Sequence, residues 1–274
     1  MKKFRRRSAR MNRMHFRVLV RRYFKQIFTS LGTFLPLLLQ APVMLAIVYI
    51  VCVKDAFIHK TAEYLTSANV VLFVLVVMCA LMGILNSYRE ICKERDVLSR
   101  EVFGGLDIPA YVLSKFTVLS VIGIVQCAIL FFGTLPAIDF AFPNPATGYL
   151  CAYGAMALTN ISTMAIGLFI SALLKKSESA ILPVLFIIIE QVVFCDCLFT
   201  LEGGAGWLRY ITPSAWGIAV FGNAAGLNDW APPIFHKDLF ALNPLIGLGV
   251  MAAITLLFVF LTTLRLKRAY RQKD

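Results

Sequence analysis

Charge is what this sequence has least of. Only 15% of its 274 residues are Asp, Glu, Lys or Arg, against 59% that are hydrophobic; soluble domains run near about 25% charged and about 45–50% apolar. The shortage excludes an ordinary water-soluble domain, and no segment between the apolar runs is long and apolar enough to form a soluble core. Chemistry-bearing motifs are missing too. There is no G-x-x-x-x-G-K-[ST] phosphate loop, no G-x-S-x-G, no H-E-x-x-H and no paired-carboxylate motif of a membrane hydrolase. The seven cysteines (Cys52, Cys79, Cys92, Cys127, Cys151, Cys195, Cys197) contain no C-x-x-C, and His15, His59 and His236 stand far apart. Metal binding is therefore not expected. Cys195 and Cys197, two apart on a helix, point away from each other and read as free thiols.

What the chain does have is long apolar runs. Several reach about 20 residues, the length that crosses a bilayer core, and mean hydropathy is +0.77. The fold class is an all-α polytopic membrane protein. Six transmembrane helices are expected at about 33–53, 68–87, 109–135, 148–174, 180–200 and 244–264. No cleavable signal precedes them: the basic N-terminal part runs to Lys25 and lacks the short apolar segment and small-residue site.

The few charges are unevenly placed. Residues 1–13 carry seven of the 27 basic residues and no acid, a cytoplasmic arm that either lies on anionic lipid or anchors topology. Residues 14–31 read as an amphipathic helix at the membrane surface, with Phe16, Val20, Tyr23/Phe24, Ile27 and Leu31 on one face and Arg17, Arg21 and Lys25 on another. With both termini cytoplasmic, 23 of the 27 Lys and Arg residues fall inside and four outside (Lys54, Lys60, Arg209, Lys237). That split supports six spans with both ends inside. It also accounts for the net charge of +12 without nucleic acid. Residues 201–243, rich in Gly, Pro and Trp, form the longest segment between spans, either a partly re-entrant extracytoplasmic lid or an aromatic interface belt; 265–274 is a basic tail.

Tyr88–Tyr111 is the anomaly. It packs nine of the 42 charged residues into 24 positions between two apolar runs. Its composition predicts a helix over 87–103, stopped by Gly104–Gly105, with Asp107 capping the next helix and Pro109 in that helix's first turn. Ile91, Leu98 and Val102 make an apolar strip; Glu90, Glu94 and Glu101 make an acidic one. Asp96 with Arg100 and Glu90 with Lys93 have ion-pair spacing. The pattern suits a docking surface or a solvated interfacial helix with internal pairs.

A few polar groups lie at membrane depth. Gln40 sits between Pro36 and Pro42, which act as hinges or static kinks. Asn86, Gln126, Asn160, Glu190 and Gln191 either line a translocation path or hold helices together, with Glu190 able to reach Thr159, Asn160 or Ser162.

The run R-E-x-x-K-E-R-x-x-x-x-R-E, the Gly pair and P-A-Y-x-L-S-K resemble the first intracellular loop of type-2 ABC exporter permeases of the White/G-type subfamily, in their bacterial versions. The matching positions are Glu94, Arg95, Arg100, Glu101, Gly104 or Gly105, Tyr111 and Lys115. An amphipathic helix before the first span and a long outer segment before the last extend the likeness over about residues 14–270. The resemblance implies that the helix around 89–103 is a coupling helix, with Arg89, Glu90, Glu94, Arg95, Arg100 and Glu101 docking an ATPase that binds ATP and Mg. It also implies a second permease domain, homo- or heterodimeric, alternating access between the two, membrane lipid around them, and residence in the inner (plasma) membrane. This chain carries no ATPase motif and is expected to bind no cofactor itself. Its ATPase is a separate polypeptide or part of a longer product, and Met1 followed by a basic arm favours the first. A non-transporting membrane scaffold or sensor is the alternative.

Overall fold

A computed structural model describes residues 12–58, 61–176, 178–197, 203–230 and 237–271. Most of the basic arm, parts of the 201–243 segment and the end of the tail lie outside the described residues. Among those described, every regular element is helical.

Helix α1 (Arg13–Thr29) starts at an Asn12 cap, whose Oδ1 accepts from the Met14 and His15 N–H groups. Its buried face is Leu19, Tyr23 and Ile27, with Phe16 and Val20 beside them. The face is rotated from the sequence expectation: Phe24 is exposed, and Leu31 already belongs to the next helix and faces outward. Leu19 and Tyr23 pack into the cluster of Ile91, Leu98 and Val102, which pins the amphipathic helix to the first loop.

Among the described residues, five helices are long and apolar enough to cross a membrane: α2 (Leu31–Val51), α3 (Ala62–Ser87), α5 (Ile108–Thr134), α6 (Pro145–Leu173) and α10 (Pro244–Arg271). Between α3 and α5 lies the short α4 (Arg95–Phe103). Helices α3 and α6 form the centre of the bundle, and small residues let them touch. A Cβ on Gly83 would stand 2.2 Å from the Asn160 carbonyl oxygen, and one on Gly167 would stand 2.1 Å from Ser87 Oγ. Close helix approach of this kind drives association where lipid removes the hydrophobic advantage. By contrast α2 presents Leu35, Leu38, Leu39, Val43, Ile47 and Ile50 outward. In a transmembrane chain such a surface meets acyl chains rather than water.

Three expectations change. The single span at 180–200 is replaced by α7 (Ile181–Val193), 13 residues that rise about 20 Å, short of the hydrocarbon core of about 30 Å. The chain then turns at Asp196, whose φ of 56° is a left-handed conformation that Asp tolerates. After a 3₁₀ segment comes α8 (Pro213–Ala224), almost wholly buried against α3, α6 and α10. A Cβ on Gly217 would lie 2.2 Å from Thr159 Oγ1, so α8 is part of the bundle. A four-residue turn of helix, α9 (Leu227–Trp230), follows. Second, the basic tail continues α10 through Arg271, and the Tyr270 hydroxyl donates to the Arg95 carbonyl at 3.4 Å. Third, the helix expected over 87–103 is broken. Ser87 Oγ bonds back to the Gly83 and Ile84 carbonyls at the end of α3. The chain then turns, and the Ile91 and Cys92 N–H groups both donate to Ser171 Oγ on α6, at 2.9 and 3.0 Å. Side-chain capture of backbone donors replaces the helical ladder at that point.

Candidate functional site

The charged stretch folds into a 3₁₀ turn (Cys92–Glu94) and α4, ended by Gly104 and by Gly105 at φ 95°, a conformation open to glycine. The apolar strip Ile91, Leu98 and Val102 is buried as its spacing requires. Asp107 sits at the N-cap position of α5, yet its carboxylate accepts the Asn12 N–H at 2.9 Å rather than capping its own helix. It ties α1 to α5 instead.

The centre of the site is Lys115 on α5. Its side chain is 2% exposed and lies 2.7 Å from Glu94 Oε2 and 3.4 Å from Glu90 Oε2. Its ammonium also sits 3.8 Å from the centroid of the Tyr23 ring. The two carboxylates are saturated from other helices. Glu90 accepts from the Tyr23 hydroxyl and from Lys93. Glu94 accepts from Gln26 Nε2 at 3.0 Å and the Tyr111 hydroxyl at 3.2 Å. A buried cation is tolerated only when paired and hydrogen-bonded in this manner. Burial pushes the Glu94 carboxyl up, but the charge and hydrogen bond of Lys115, with help from Gln26, outweigh it and hold it below its ordinary value. Burial, then the Glu90 charge, raises the Tyr23 hydroxyl well above the usual phenol range, so it remains a donor.

A second tie runs outside this centre. Arg22 of α1 forks onto Glu101 of α4, with nitrogen–oxygen distances of 2.5 and 3.2 Å, the bidentate geometry suited to register. Arg95 donates to the Leu174 carbonyl at the end of α6. Glu90, Glu94, Arg95 and Glu101 thus all engage groups of this chain. Of the two spaced pairs, Lys93–Glu90 forms, whereas among the described residues Asp96 and Arg100 form no ion pair with each other. Both are exposed. The outward face of α4 also carries two large apolar side chains, Val97 at 50% and Phe103 at 65% exposure. The charged stretch therefore has two faces: one stapled to α1, α5, α6 and α10, the other a mixed apolar and charged surface.

The intramembrane polar residues divide into separate ties. Asn86 Nδ2 donates to Gln126 Oε1 at 2.7 Å. Gln126 Nε2 donates to the Leu37 carbonyl at 2.7 Å and reaches Gln40 Oε1 at 3.4 Å. Leu37 neighbours Leu38, the residue whose carbonyl loses its helical donor because Pro42 has no N–H. Asn160 Nδ2 donates to the Cys79 carbonyl at 2.9 Å. Glu190 does not reach Thr159, Asn160 or Ser162. It accepts from Thr212 Oγ1 at 2.7 Å and from Gln191 Nε2 at 2.6 Å. Gln191 in turn holds the N–H and hydroxyl of Ser214. Glu190 and Gln191 together tie α7 to the first turn of α8.

Sequence reasoning singled out Lys115 only as part of a motif, and it missed Tyr23, Gln26 and Ser171. A lone lysine inside an apolar run was the available signal. For the other three, nothing in the local sequence marks a partner 67 to 80 residues away.

A family described as "ABC-2 type transporter" matches residues 14–224. Over 237 residues the chain is 27% identical to the Mycobacterium tuberculosis protein named ABC transporter ATP-binding/permease protein Rv1747, covering 81% of this chain and 27% of that protein. The chain thus spans about a quarter of the length of this relative.

Proposed function

The chain belongs to the ABC-2 type transporter family, and from that premise we propose that it is the membrane permease of an ATP-driven exporter of the White/G-type. In this reading α4 is the coupling helix. Its outward residues Asp96, Val97, Arg100 and Phe103 meet a nucleotide-binding partner that holds ATP and Mg. Its inward residues Glu101 and Arg95 pass movement to Arg22 of α1 and the Leu174 carbonyl after α6, and the turn just before it passes movement to Tyr23 of α1, Lys115 of α5 and Ser171 of α6.

The observation that carries this reading is the two-faced construction of α4. Apolar side chains at 50% and 65% exposure beside Asp96 and Arg100 are a poor surface for water and a good one for a partner. The inner face is tied to four other helices, so a push on α4 moves the bundle and not a loose loop. The relative's printed name joins ATP-binding and permease functions in one protein, which supports an ATPase partner here, fused or separate. α7 and α8 together make the fifth of six crossings, with both termini cytoplasmic, in agreement with 23 of 27 basic residues on that side. Two permease domains pair in the inner membrane and alternate access. The chain itself supplies no catalysis.

The test is vanadate-sensitive ATP hydrolysis and vesicle transport by the chain purified with a co-expressed phosphate-loop ATPase. Phe103→Glu and Arg100→Glu are expected to abolish coupling while leaving thermal stability unchanged. Full transport by both variants would refute the assignment.

A further inference from the structure

The elbow where α1 turns into α2 encloses a cavity of about 570 Å³ against the end of α3, within the range of about 300–1,000 Å³ typical of small-molecule sites. Its lining changes character from one end to the other. At one end stand Arg89 and Lys93; at the other, Pro36, Leu39 and Val43 of α2. Among the described residues that line it, Glu90 is the one carboxylate, and it already holds Lys93, Lys115 and the Tyr23 hydroxyl. The polar end is therefore net positive. The apolar wall from Gly32 to Val43 rises about 16 Å along the helix, close to the about 15 Å depth of one leaflet of hydrocarbon. Leu39, Val43 and Leu85 on its rim are about half exposed, so the cavity opens sideways to the surface that acyl chains cover.

We propose that this cavity seats one phospholipid with an anionic headgroup, its phosphate against Arg89 and Lys93 and one acyl chain along Pro36–Val43. The inference rests on the reading above in placing α1 at the cytoplasmic interface. Arg17, Arg21 and Lys25, exposed along α1, raise the concentration of anionic lipid at the same level. Such a lipid wedges the elbow between α2 and the turn that carries Glu90. It becomes a third component of the joint through which α1 and the coupling stretch are held.

The test is native mass spectrometry of the full-length protein released from bilayers of phosphatidylcholine and phosphatidylglycerol mixed in equal amounts. One retained phosphatidylglycerol is expected, favoured about tenfold or more over phosphatidylcholine by the two cations. Gly32→Trp puts a bulky side chain on the cavity lining, at a position where a Cβ meets nothing within 4 Å; it is expected to remove the retained lipid whatever its headgroup. Arg89→Gln with Lys93→Gln is expected to keep a bound lipid and lose the headgroup preference. Unchanged elution and melting temperature identify variants that remain folded. Equal retention of the two lipids by the unaltered protein, or retention indifferent to Gly32→Trp, overturns the proposal. So does displacement by soluble glycerol phosphate at the same concentration as lipid, which would mark a free-phosphate site. The assay contains no ATPase. A protein that shows the headgroup preference but stimulates no ATP hydrolysis refutes the transporter reading alone.

Discussion

Lys115 and Glu94 meet at 2.7 Å in a pocket where the lysine side chain is 2% exposed. Twenty-one positions separate them in sequence, and a Gly–Gly turn lies between. Their contact fixes the angle at which the charged stretch leaves the bundle. Around it, Glu90, Tyr23, Gln26 and Tyr111 supply partners, so no charge at this joint is buried alone.

Lys115→Met leaves two carboxylates partly buried without their shared cation. Breaking one side of a buried pair costs about 3–5 kcal/mol, so a melting temperature lower by several degrees is expected in detergent. Adding Glu90→Gln and Glu94→Gln removes the stranded charges and should recover part of the loss. A double-mutant cycle on thermal unfolding measures the coupling.

Acid should loosen the same joint. Glu94 titrates below its ordinary 4.5 in the folded chain, so its contribution is fully present above that value and is lost as pH falls through the lower, folded value. Melting temperature compared between the unaltered protein and Glu94→Gln from pH 7 downward should show a gap that stays constant to about pH 5 and closes below it. A gap that widens with acid would mean the opposite sign of shift.

Gly83→Leu is expected to disrupt the contact of α3 with α6, since even a Cβ there would stand 2.2 Å from a backbone oxygen. Overpacking of this kind costs about 1–3 kcal/mol or more. Gly32→Leu, in open space, should leave the melting temperature within about one degree. Expression level and thermal unfolding of the two variants side by side check this.

Glu190→Gln keeps an acceptor oxygen for the Gln191 amide and offers an amide N–H to the Thr212 hydroxyl, which can donate to the Leu208 carbonyl instead, so it should be nearly silent in both stability and transport. Glu190→Ala leaves the Thr212 hydroxyl and Gln191 amide short of a partner at the start of α8, at about 1–3 kcal/mol. Loss of transport by the Gln variant with stability intact would instead place Glu190 in the substrate path.

Much of this was readable from the residues. The five long helices follow from apolar runs, and the burial of Ile91, Leu98 and Val102 from their spacing. Lys115 entered only through the motif P-A-Y-x-L-S-K, although a lone lysine in an apolar run was itself a signal. What local pattern could not carry was direction. Glu90, Glu94 and Glu101 form one acidic strip on an ideal wheel, but the stretch is not one helix. Ser171 captures two backbone donors, the chain turns, and Glu90 and Glu94 converge on Lys115 while Glu101 turns to Arg22. The apolar run at 180–200 likewise has a span's composition. Its helix stops at Val193 because the chain doubles back at Asp196, so that Glu190 and Gln191 can hold α8, a contact between segments that hydropathy treats separately.

The most direct measurement places a photoreactive benzoyl-phenylalanine at position 103 on α4, and separately at 150 on the first turns of α6, in the protein co-expressed with a phosphate-loop ATPase. Both side chains are exposed, and the two positions lie at opposite ends of the bundle. Light should join position 103 to the ATPase and leave position 150 unlinked to it. A complex that co-purifies intact yet gives no ATPase adduct from position 103 would contradict the assignment of α4 as the coupling helix.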